Sequence, residues 1–266
     1  MPLYSATLPL PNNAKSKRLI DDETLLYIAR AGVTNHEAIN RLNSFVRGIK
    51  DLGLFSNMAC WPLRSTQNAG TGTTAYSLGG LGTFDGTLTN GPTWETDGVL
   101  FNRTLATHIS ATRPIGTLAS SAYSIFSVHV NFVEDAQYRA LWIGRDASND
   151  RMFFRTTGDA FSASNSGVNA PSSVDGTHST VLVGQAGDTP KSVLAYKDGL
   201  VAGTASGNAT GTNTIYRIGG DGTLNTRSFG FPIAFNGAFN LALSAAQILE
   251  IHTLYKNTLG AGLGLP

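Results

Sequence analysis

The sequence predicts a mainly β protein: an antiparallel two-sheet sandwich that follows an extended N-terminal arm and two short helices and ends in a short helix. Composition is the first observation, because 30 of the 266 residues are glycine and only 14% are charged, where about 25% is typical. The second is the alternation of apolar and polar residues over 124–133, which is the period of a strand. The third is the helical spacing of apolar residues over 33–58.

Residues 1–20 are predicted to form an extended arm. Its prolines exclude a helix and favour extended backbone in the residues before them. Four apolar side chains could anchor the arm to its own domain or to a neighbour: Leu3, Tyr4, Leu8 and Leu10. A disordered terminus is the alternative. The basic cluster follows the apolar part, the wrong order for a signal peptide, and no run approaches the ~18 apolar residues of a membrane span.

Two helices are predicted within residues 21–58. The first begins at Asp21, where acidic residues suit a helix N-terminus, and ends at Gly32. Its apolar stripe consists of Leu25, Leu26, Ile28 and Ala29. The second begins with a capping box of Thr34 and Glu37 and ends at Gly53. Its apolar stripe is wide enough to need a partner, which could be the first helix, the sandwich or another subunit. That stripe consists of Ile39, Leu42, Phe45, Val46 and Ile49.

Residues 59–95 are predicted to be a Gly- and Thr-rich connection without sustained periodicity. Its glycines lack the Gly-Lys-Ser/Thr and the following helix of a phosphate-binding loop, which argues against nucleotide binding. The net charge of +1, without a long basic block, argues against a nucleic-acid partner. Cys60 is the single cysteine, so a disulfide within the chain is excluded and a small buried side chain is expected.

Residues 96–266 are predicted to form the sandwich. Eight or so strands in this region fit two packed antiparallel sheets. They are 98–103, 124–133, 140–144, 151–156, 179–184, 192–196, 214–218 and 229–235. Asp198-Gly199 predicts a hairpin turn and Asn236-Gly237 an outward turn. A last helix follows, with a capping box at Ser244, and is expected to end before residue 260.

No pair of carboxylates is a convincing glycosidase site. A retaining enzyme needs two carboxyl groups about 5 to 5.5 Å apart. Glu95 and Asp97 are the nearest candidates, but Gly98 follows at once, and a turn beside a strand is the preferred interpretation. The five histidines lack the paired spacing of a zinc site, and a Ser-His-Asp triad can be neither argued nor excluded without geometry.

The sequence contains candidate residues for two other kinds of ligand. Asp146 with Asp150, or Asp221, could supply oxygen ligands to calcium, although hairpin turns use the same residues. A sugar site would combine an exposed aromatic ring with neutral hydrogen-bonding groups. Trp94, beside a turn, is the candidate sugar contact, whereas Trp142 lies in the apolar run ALWIG and is expected in the core. No catalytic residue, metal ligand or cofactor is predicted.

Two resemblances to known families add to this interpretation. LAYKDGLVAGTASG and FPIAFNGAFNLALSAAQILEIHTLYKNTLG resemble concanavalin A-like (laminin G-like) jelly-roll domains, over roughly residues 96–260. EAINRLNSFVRGIKDLGLFSNMACWPL resembles the front of a group of structural proteins of tailed bacteriophages. The matching positions are Ala38, Ile39, Asn40, Phe45, Val46, Gly48, Lys50, Gly53, Leu54 and Phe55. In that group the helical piece is followed by a Gly- and Thr-rich connection, a strand like DGVLFNRT and a laminin G-like sandwich, as here.

The resemblance implies a non-enzymatic structural component of a virion, as a capsid decoration, head fibre or tail fibre. Residues 21–58 would be the attachment segment, and the anchors of the arm and the stripe of the second helix would be assembly contacts. The expected partners are other virion proteins and further copies of the chain, with a homotrimer expected because displayed phage fibres and decorations are commonly threefold. Membrane insertion is not expected. The alternatives are a carbohydrate-binding module for attachment to host-surface glycan and a glycoside hydrolase.

Overall fold

The computed structural model describes residues 19–112, 114, 122–133, 139–145, 150–157, 160–164, 168–170, 175–184, 192–206, 215–222 and 227–266. Over these residues the chain forms three α-helices and sixteen strands in two antiparallel sheets, which confirms the predicted mainly β sandwich. The jelly-roll winding implied by the resemblance stays a prediction. Among the described helices, none is long and apolar enough to cross a membrane.

Eight strands form one sheet, called sheet A. They are β1 (Met58–Pro62), β4 (Thr93–Glu95), β5 (Gly98–Leu100), β7 (Tyr123–Phe132), β12 (Gly176–Gly184), β13 (Ser192–Lys197), β14 (Leu200–Ser206) and β16 (Pro232–Phe239). Their order is β14-β13-β12-β7-β16-β5-β4, and β1 pairs with β16 beside β5. Strand β4 is therefore an edge of the sheet.

The other eight strands form sheet B. They are β2 (Thr74–Ala75), β3 (Gly86–Thr89), β6 (His108–Ala111), β8 (Arg139–Arg145), β9 (Asp150–Thr157), β10 (Ala160–Ser164), β11 (Val168–Ala170) and β15 (Ile215–Ile218). Their order is β11-β10-β9-β8-β15-β6-β3-β2. Every recorded pairing in both sheets is antiparallel, so neighbours that are also consecutive in the chain, such as β13 and β14, can be joined by a tight turn.

Two apolar layers cover the two faces of sheet A. Between the sheets, Tyr216 stacks on Trp61 and on Trp142, with ring centroids 5.5 and 6.0 Å apart. Both tryptophans are fully buried, which confirms the core position predicted for Trp142. On the opposite face the helices pack, and Phe45 meets Phe235 of β16 edge to face at 5.5 Å. Sheet A is therefore the central layer of the molecule.

The helices are α1 (Asp22–Ala31), α2 (His36–Asp51) and α3 (Ala245–Asn257), with a 3-10 turn at Phe55–Asn57. Helix α1 is capped by Asp21 and ends at Gly32, whose φ of 68° is the left-handed conformation, as predicted. The predicted stripe is wrong at three of its four positions, because Leu25 is 38% and Leu26 68% exposed and Ala29 is exposed as well. The helix instead buries Tyr27, whose hydroxyl donates to the Gln67 carbonyl at 2.8 Å.

The predicted capping box of α2 is wrong. Asn35 is the N-cap, and its side chain accepts a hydrogen bond from the Ala38 amide at 2.9 Å. Asparagine caps a helix at least as well as threonine, so Thr34 stays outside. Glu37 pairs instead with Arg41 one turn further on. The capping box of α3, formed by Ser244 and Gln247, is present as predicted, and the helix ends at Asn257.

Residues 59–95 belong to the sandwich, which corrects the predicted connection. They contain β2, β3 and β4 and nearly all of β1, which pairs with β16 at the centre of sheet A. Strand β1 is buried along its whole length, so its sequence shows no alternation, and β2 has only two residues. Gly79 allows the following loop to pack on β1, because a Cβ there would lie 2.1 Å from the Met58 carbonyl oxygen.

One of the two predicted strand turns is confirmed. Asp198 and Gly199 join β13 to β14 with φ values of 50° and 82°, as a tight hairpin turn requires. The outward turn at Asn236-Gly237 is wrong, because both residues lie inside β16. They are opposite Ser127 and Phe126 of β7, and β1 pairs with them from the other side, so the strand continues through them.

Candidate functional site

The predicted assembly contacts on α2 are covered by the chain itself. Leu42, Phe45, Val46 and Ile49 are all 0% exposed and lie in the layer between the helices and sheet A, while Ile39 packs partly buried against the same layer. The prediction that the four buried side chains contact another molecule is therefore wrong, because their apolar stripe is used within the chain. Residues 21–58 form a brace on the sandwich. The other predicted contacts, Leu3, Tyr4, Leu8 and Leu10, lie outside the described residues.

Trp94, the candidate sugar contact, is half-buried at the edge of sheet A. Its ring packs against the layer between the sheets, and its indole N–H donates to the Gly72 carbonyl at 3.1 Å. This arrangement gives Trp94 a packing role. A sugar contact at its accessible part stays a prediction.

The nearest pair of acids lies at a turn, as the sequence indicates. Glu95 is opposite Gly98 in the register of β4 and β5, and its carboxylate accepts a hydrogen bond from the Thr93 hydroxyl at 3.3 Å. Asp97, within the turn, lies 4.0 Å from the Arg64 guanidinium. Each carboxylate therefore has a neighbour that accounts for its position.

A serine, two histidines and an aspartate meet between β12 and α3. The Ser179 hydroxyl lies 2.8 Å from Nδ1 of His252, whose Nε2 lies 3.2 Å from the Pro266 backbone oxygen. Asp198 bonds to Nδ1 of His178 at 2.7 Å and accepts from the Ser179 amide at 3.0 Å. Burial lowers the pKa of His252. Burial opposes ionisation of Asp198, but the hydrogen bonds from His178 and the Ser179 amide outweigh it and lower the pKa.

This cluster is built to hold α3 on the sheet. Ser179 is 0% exposed, so a substrate would reach it only if α3 moved. The aspartate orients His178, whereas a triad needs the acid on the histidine that bonds to the serine. Sequence reasoning missed the cluster because Ser179 and His252 are 73 residues apart and neither lies in a recognisable motif.

The calcium candidates find little support in the described part of the chain. No group of three or more His, Cys, Asp or Glu side chains there could hold a metal ion. Asp221 is fully buried, and its carboxylate lies 3.5 Å from the Arg227 guanidinium, which balances its charge. Asp146 and the side chain of Asp150 lie outside the described residues.

An open pocket of about 350 Å³ lies at the edge of sheet A formed by β4 and β5. Its wall combines neutral polar groups with an apolar surface and a cation. The lining residues include Gly91, Thr93, Leu100, Asn102, Arg103 and Gly230. The pocket, called the edge pocket, therefore offers hydrogen-bonding groups of the kind that recognise a small polar ligand.

The side chain of Arg103 is held in place at the edge pocket. Its guanidinium carbon lies 5.0 Å from the centroid of the Phe231 ring, within cation–π distance. Its aliphatic stem passes directly over Gly230, where a Cβ would come within 2.5 Å of the Arg103 Cγ. Gly230 also has a φ of 79°, which favours glycine.

Asn102 is oriented by its own turn. Its side-chain oxygen accepts hydrogen bonds from the Thr104 amide and hydroxyl, both at 2.8 Å, and this leaves the NH₂ group as the donor. The sequence contains no signal for the edge pocket, because Asn102 and Arg103 look like the end of one strand. The pocket forms where Asn102 and Arg103 meet Gly230, which is distant from them in the sequence.

No protein-family model and no curated protein sequence matches the chain. Several solved structures share its fold. A Trypanosoma rangeli sialidase in complex with sialic acid is 16% identical with a TM-score of 0.54, and the match covers 83% of this chain and 39% of that one. The same sialidase in complex with the inhibitor DANA is 16% identical with a TM-score of 0.52, covering 82% and 39%. The complex with 2,3-difluoro-KDN is 17% identical with a TM-score of 0.54, covering 84% and 40%.

The chain thus spans about 40% of the length of the sialidase structures that it matches. At this level of identity the similarity shows a shared β fold, and it transfers no residue and no activity to this chain.

Proposed function

We propose that this chain is a carbohydrate-binding structural component of a tailed-phage particle, in which the sandwich is displayed and binds glycan in the edge pocket. The edge pocket is the observation that carries the proposal. Its Thr93 hydroxyl and Asn102 amide are neutral hydrogen-bonding groups beside an apolar wall, a combination that suits the hydroxyls and C–H faces of a sugar. The shared fold with a sialidase solved with sialic acid is a supporting analogy.

The virion part of the proposal rests on the sequence resemblance over residues 37–63. These residues build α2 and β1, which lie against or within sheet A, so the segment would stiffen the displayed domain. Attachment then falls to the arm, residues 1–20. The chain would act without catalysis, as a homo-oligomer, with a trimer as the expected state.

A glycan array tests carbohydrate binding. Wild-type protein should bind a subset of glycans, and Asn102→Ala combined with Thr93→Ala should lose at least tenfold in affinity, because both polar contacts disappear. Lys256→Ala, which changes an exposed side chain on α3, is the control and should bind as wild type. Absence of any glycan signal would reject this part of the proposal. Sugar release that disappears in Glu95→Gln would favour a glycoside hydrolase instead.

The location of the chain in a purified particle tests the virion part. Labelled antibody in electron microscopy should mark the capsid or a fibre. Deletion of residues 1–18 should leave the sandwich folded and abolish incorporation, whereas deletion of 1–58 would remove α1 and α2, whose apolar side chains cover sheet A, and is not informative. A particle that lacks the chain, or that incorporates the 1–18 deletion normally, would contradict the proposed attachment.

A further inference from the structure

We infer that the open groove between α2 and α3 binds the N-terminal arm of the same chain, with Leu8 and Leu10 as the side chains that enter it. This groove, called the helix groove, has a volume of about 450 Å³. It is lined by Gly48, Leu52, Leu249, Glu250, Thr253 and Leu254. The inference concerns the chain by itself, so it depends neither on glycan binding nor on a place in a particle.

The helix groove presents an apolar wall to the surface. Leu249 is 45% exposed, whereas Leu52 and Leu254 are partly buried and pack on the layer between the helices and sheet A. Gly48 allows α2 and α3 to approach closely, because a Cβ there would lie 2.5 Å from the Leu254 Cδ1. An apolar depression between two helices is a surface that apolar side chains of another segment can bury.

The arm joins the described part of the chain beside the same helix. The Leu19 carbonyl accepts a hydrogen bond from the Asn43 side chain at 3.0 Å, and the Asn43 side-chain oxygen accepts one from the Asp21 amide at 2.8 Å. The end of the arm is therefore fixed on α2. A segment whose end is held near its binding site has a high effective concentration there, which favours its own groove over that of another copy.

A second open hollow connects the end of the arm with the helix groove. This hollow, called the entry hollow, has a volume of about 750 Å³. Its lining includes Ile20, directly after the arm, and Gly48, which also lines the helix groove. Because Gly48 has no side chain, an extended segment can cross α2 at this position.

The arm is long enough to follow this path. Leu10 precedes Leu19 by nine residues, which span up to about 30 Å when extended. Asn43 and Gly48 are five residues apart on α2, a rise of about 8 Å. The surplus covers the passage across α2, because a helix with its side chains is about 10 Å wide.

The sequence of the arm is suited to the helix groove. Leu8 and Leu10 are separated by one residue, so their side chains fall on the same side of an extended chain. Pro9 and Pro11 restrict the backbone to extended conformations. The arm therefore loses less conformational entropy on docking than a segment without proline.

Charge favours the same path. Residues 15–18, next to the described chain, contain three cations. Three aspartates line the entry hollow against one arginine and one lysine, which leaves a balance of one negative charge. Asp51, one of these aspartates, is exposed and is the last residue of α2. A cation beside it is favourable because the C-terminus of a helix carries partial negative charge.

Disulfide cross-linking of the full chain tests the inference. In a glutathione redox buffer, Leu8→Cys with Leu249→Cys should form an intramolecular disulfide with an effective concentration about tenfold or more above that of the control pair, Leu8→Cys with Leu26→Cys. Leu26 is also an exposed leucine, and it is nearer to the arm along the chain. Cys60 is fully buried, and burial raises the pKa of its thiol, so it stays out of the exchange. Equal yields in the two pairs, or a disulfide between two chains, would overturn the inference.

Trypsin cleavage after Lys17 gives a second readout. Leu8→Ser with Leu10→Ser changes only the arm and should raise the cleavage rate about fivefold or more, because a released arm is open to the protease. Leu249→Ser should have the same effect, and all three substitutions together should add nothing further, because either change alone releases the arm. Leu26→Ser is the control and should be cleaved as wild type. Thermal unfolding verifies that each groove variant is folded, and a cleavage rate that the arm substitutions leave unchanged would contradict docking.

The outcomes are distinct from those of the proposed function. Both measurements use the purified chain without glycan or other virion proteins, so they decide docking of the arm alone. The glycan array and the labelled particles decide the proposed function independently. In a particle, the docked arm and the helices would form one attachment surface.

Discussion

Phe45 provides the sharpest test of whether α2 is a brace or an assembly surface. Its side chain is 0% exposed and packs edge to face on Phe235 at 5.5 Å and on Tyr255 at 6.4 Å. Replacement of Phe45 by alanine should destabilise the monomer because it opens a cavity between α2, β16 and α3.

The magnitude follows from the burial. A fully buried Phe→Ala change costs about 3 to 5 kcal/mol, and loss of two aromatic pairs places Phe45→Ala towards the upper end, at about 4 to 5 kcal/mol. That is a large fraction of the roughly 5 to 15 kcal/mol that stabilises a typical domain. For a chain of this size it corresponds to a fall of about 7 to 9 °C in Tm.

Urea unfolding followed by circular dichroism measures the change, and light scattering measures the oligomeric state in the same samples. Leu26→Ala, on the exposed side of α1, is the control and should alter the free energy of unfolding by less than about 0.5 kcal/mol. If Phe45→Ala dissociated an oligomer and left the stability of the monomer unchanged, the brace interpretation would be refuted.

Three further predictions concern the C-terminal part of the chain. At pH 7, Asp198→Asn should lower the free energy of unfolding by about 1 kcal/mol, because the native carboxylate pairs with His178. The pKa of Asp198 is lowered in the folded chain, so this difference from wild type in urea unfolding should vanish as the pH falls below 3.8. Burial lowers the pKa of His252 in the folded chain, so the unfolded chain takes up a proton before the folded chain does as the pH falls below 6.5. The free energy of unfolding should therefore fall between pH 7 and pH 5. His252→Asn should reduce that decline, with a remainder from His108, whose pKa burial also lowers. Arg64→Met should lower the free energy of urea unfolding by about 3 kcal/mol, because the Arg64 guanidinium donates to two carbonyls of the C-terminal tail at 3.0 and 2.9 Å. An unfolding midpoint equal to that of wild type would contradict this prediction.

Local chemistry made several elements predictable. The start of α1 at Asp21, its end at Gly32 and the Asp198-Gly199 turn each depend on groups within a few residues of one another. Caps and tight turns satisfy their hydrogen bonds locally, so the sequence carries the whole signal. The alternation over β7 likewise identified a strand with two distinguishable faces.

The interpretation of Asn236-Gly237 failed for the opposite reason. The pair favours a turn in isolation, but β7 and β1 both pair with this stretch of β16, so the strand continues through Asn236 and Gly237. The sequence did not predict strand β1, because the strand is buried on both faces and its residues therefore show no alternation of apolar and polar side chains.

The sequence by itself determined the fold class, the helix caps of α1 and α3 and the hairpin between β13 and β14, because these depend on composition, period and neighbours in the chain. Only the tertiary structure decided what the stripe of α2 packs against and which residues form the edge pocket. An apolar stripe specifies that it must be buried but not against which surface, and Arg103 meets Phe231 only after the intervening sheets have formed.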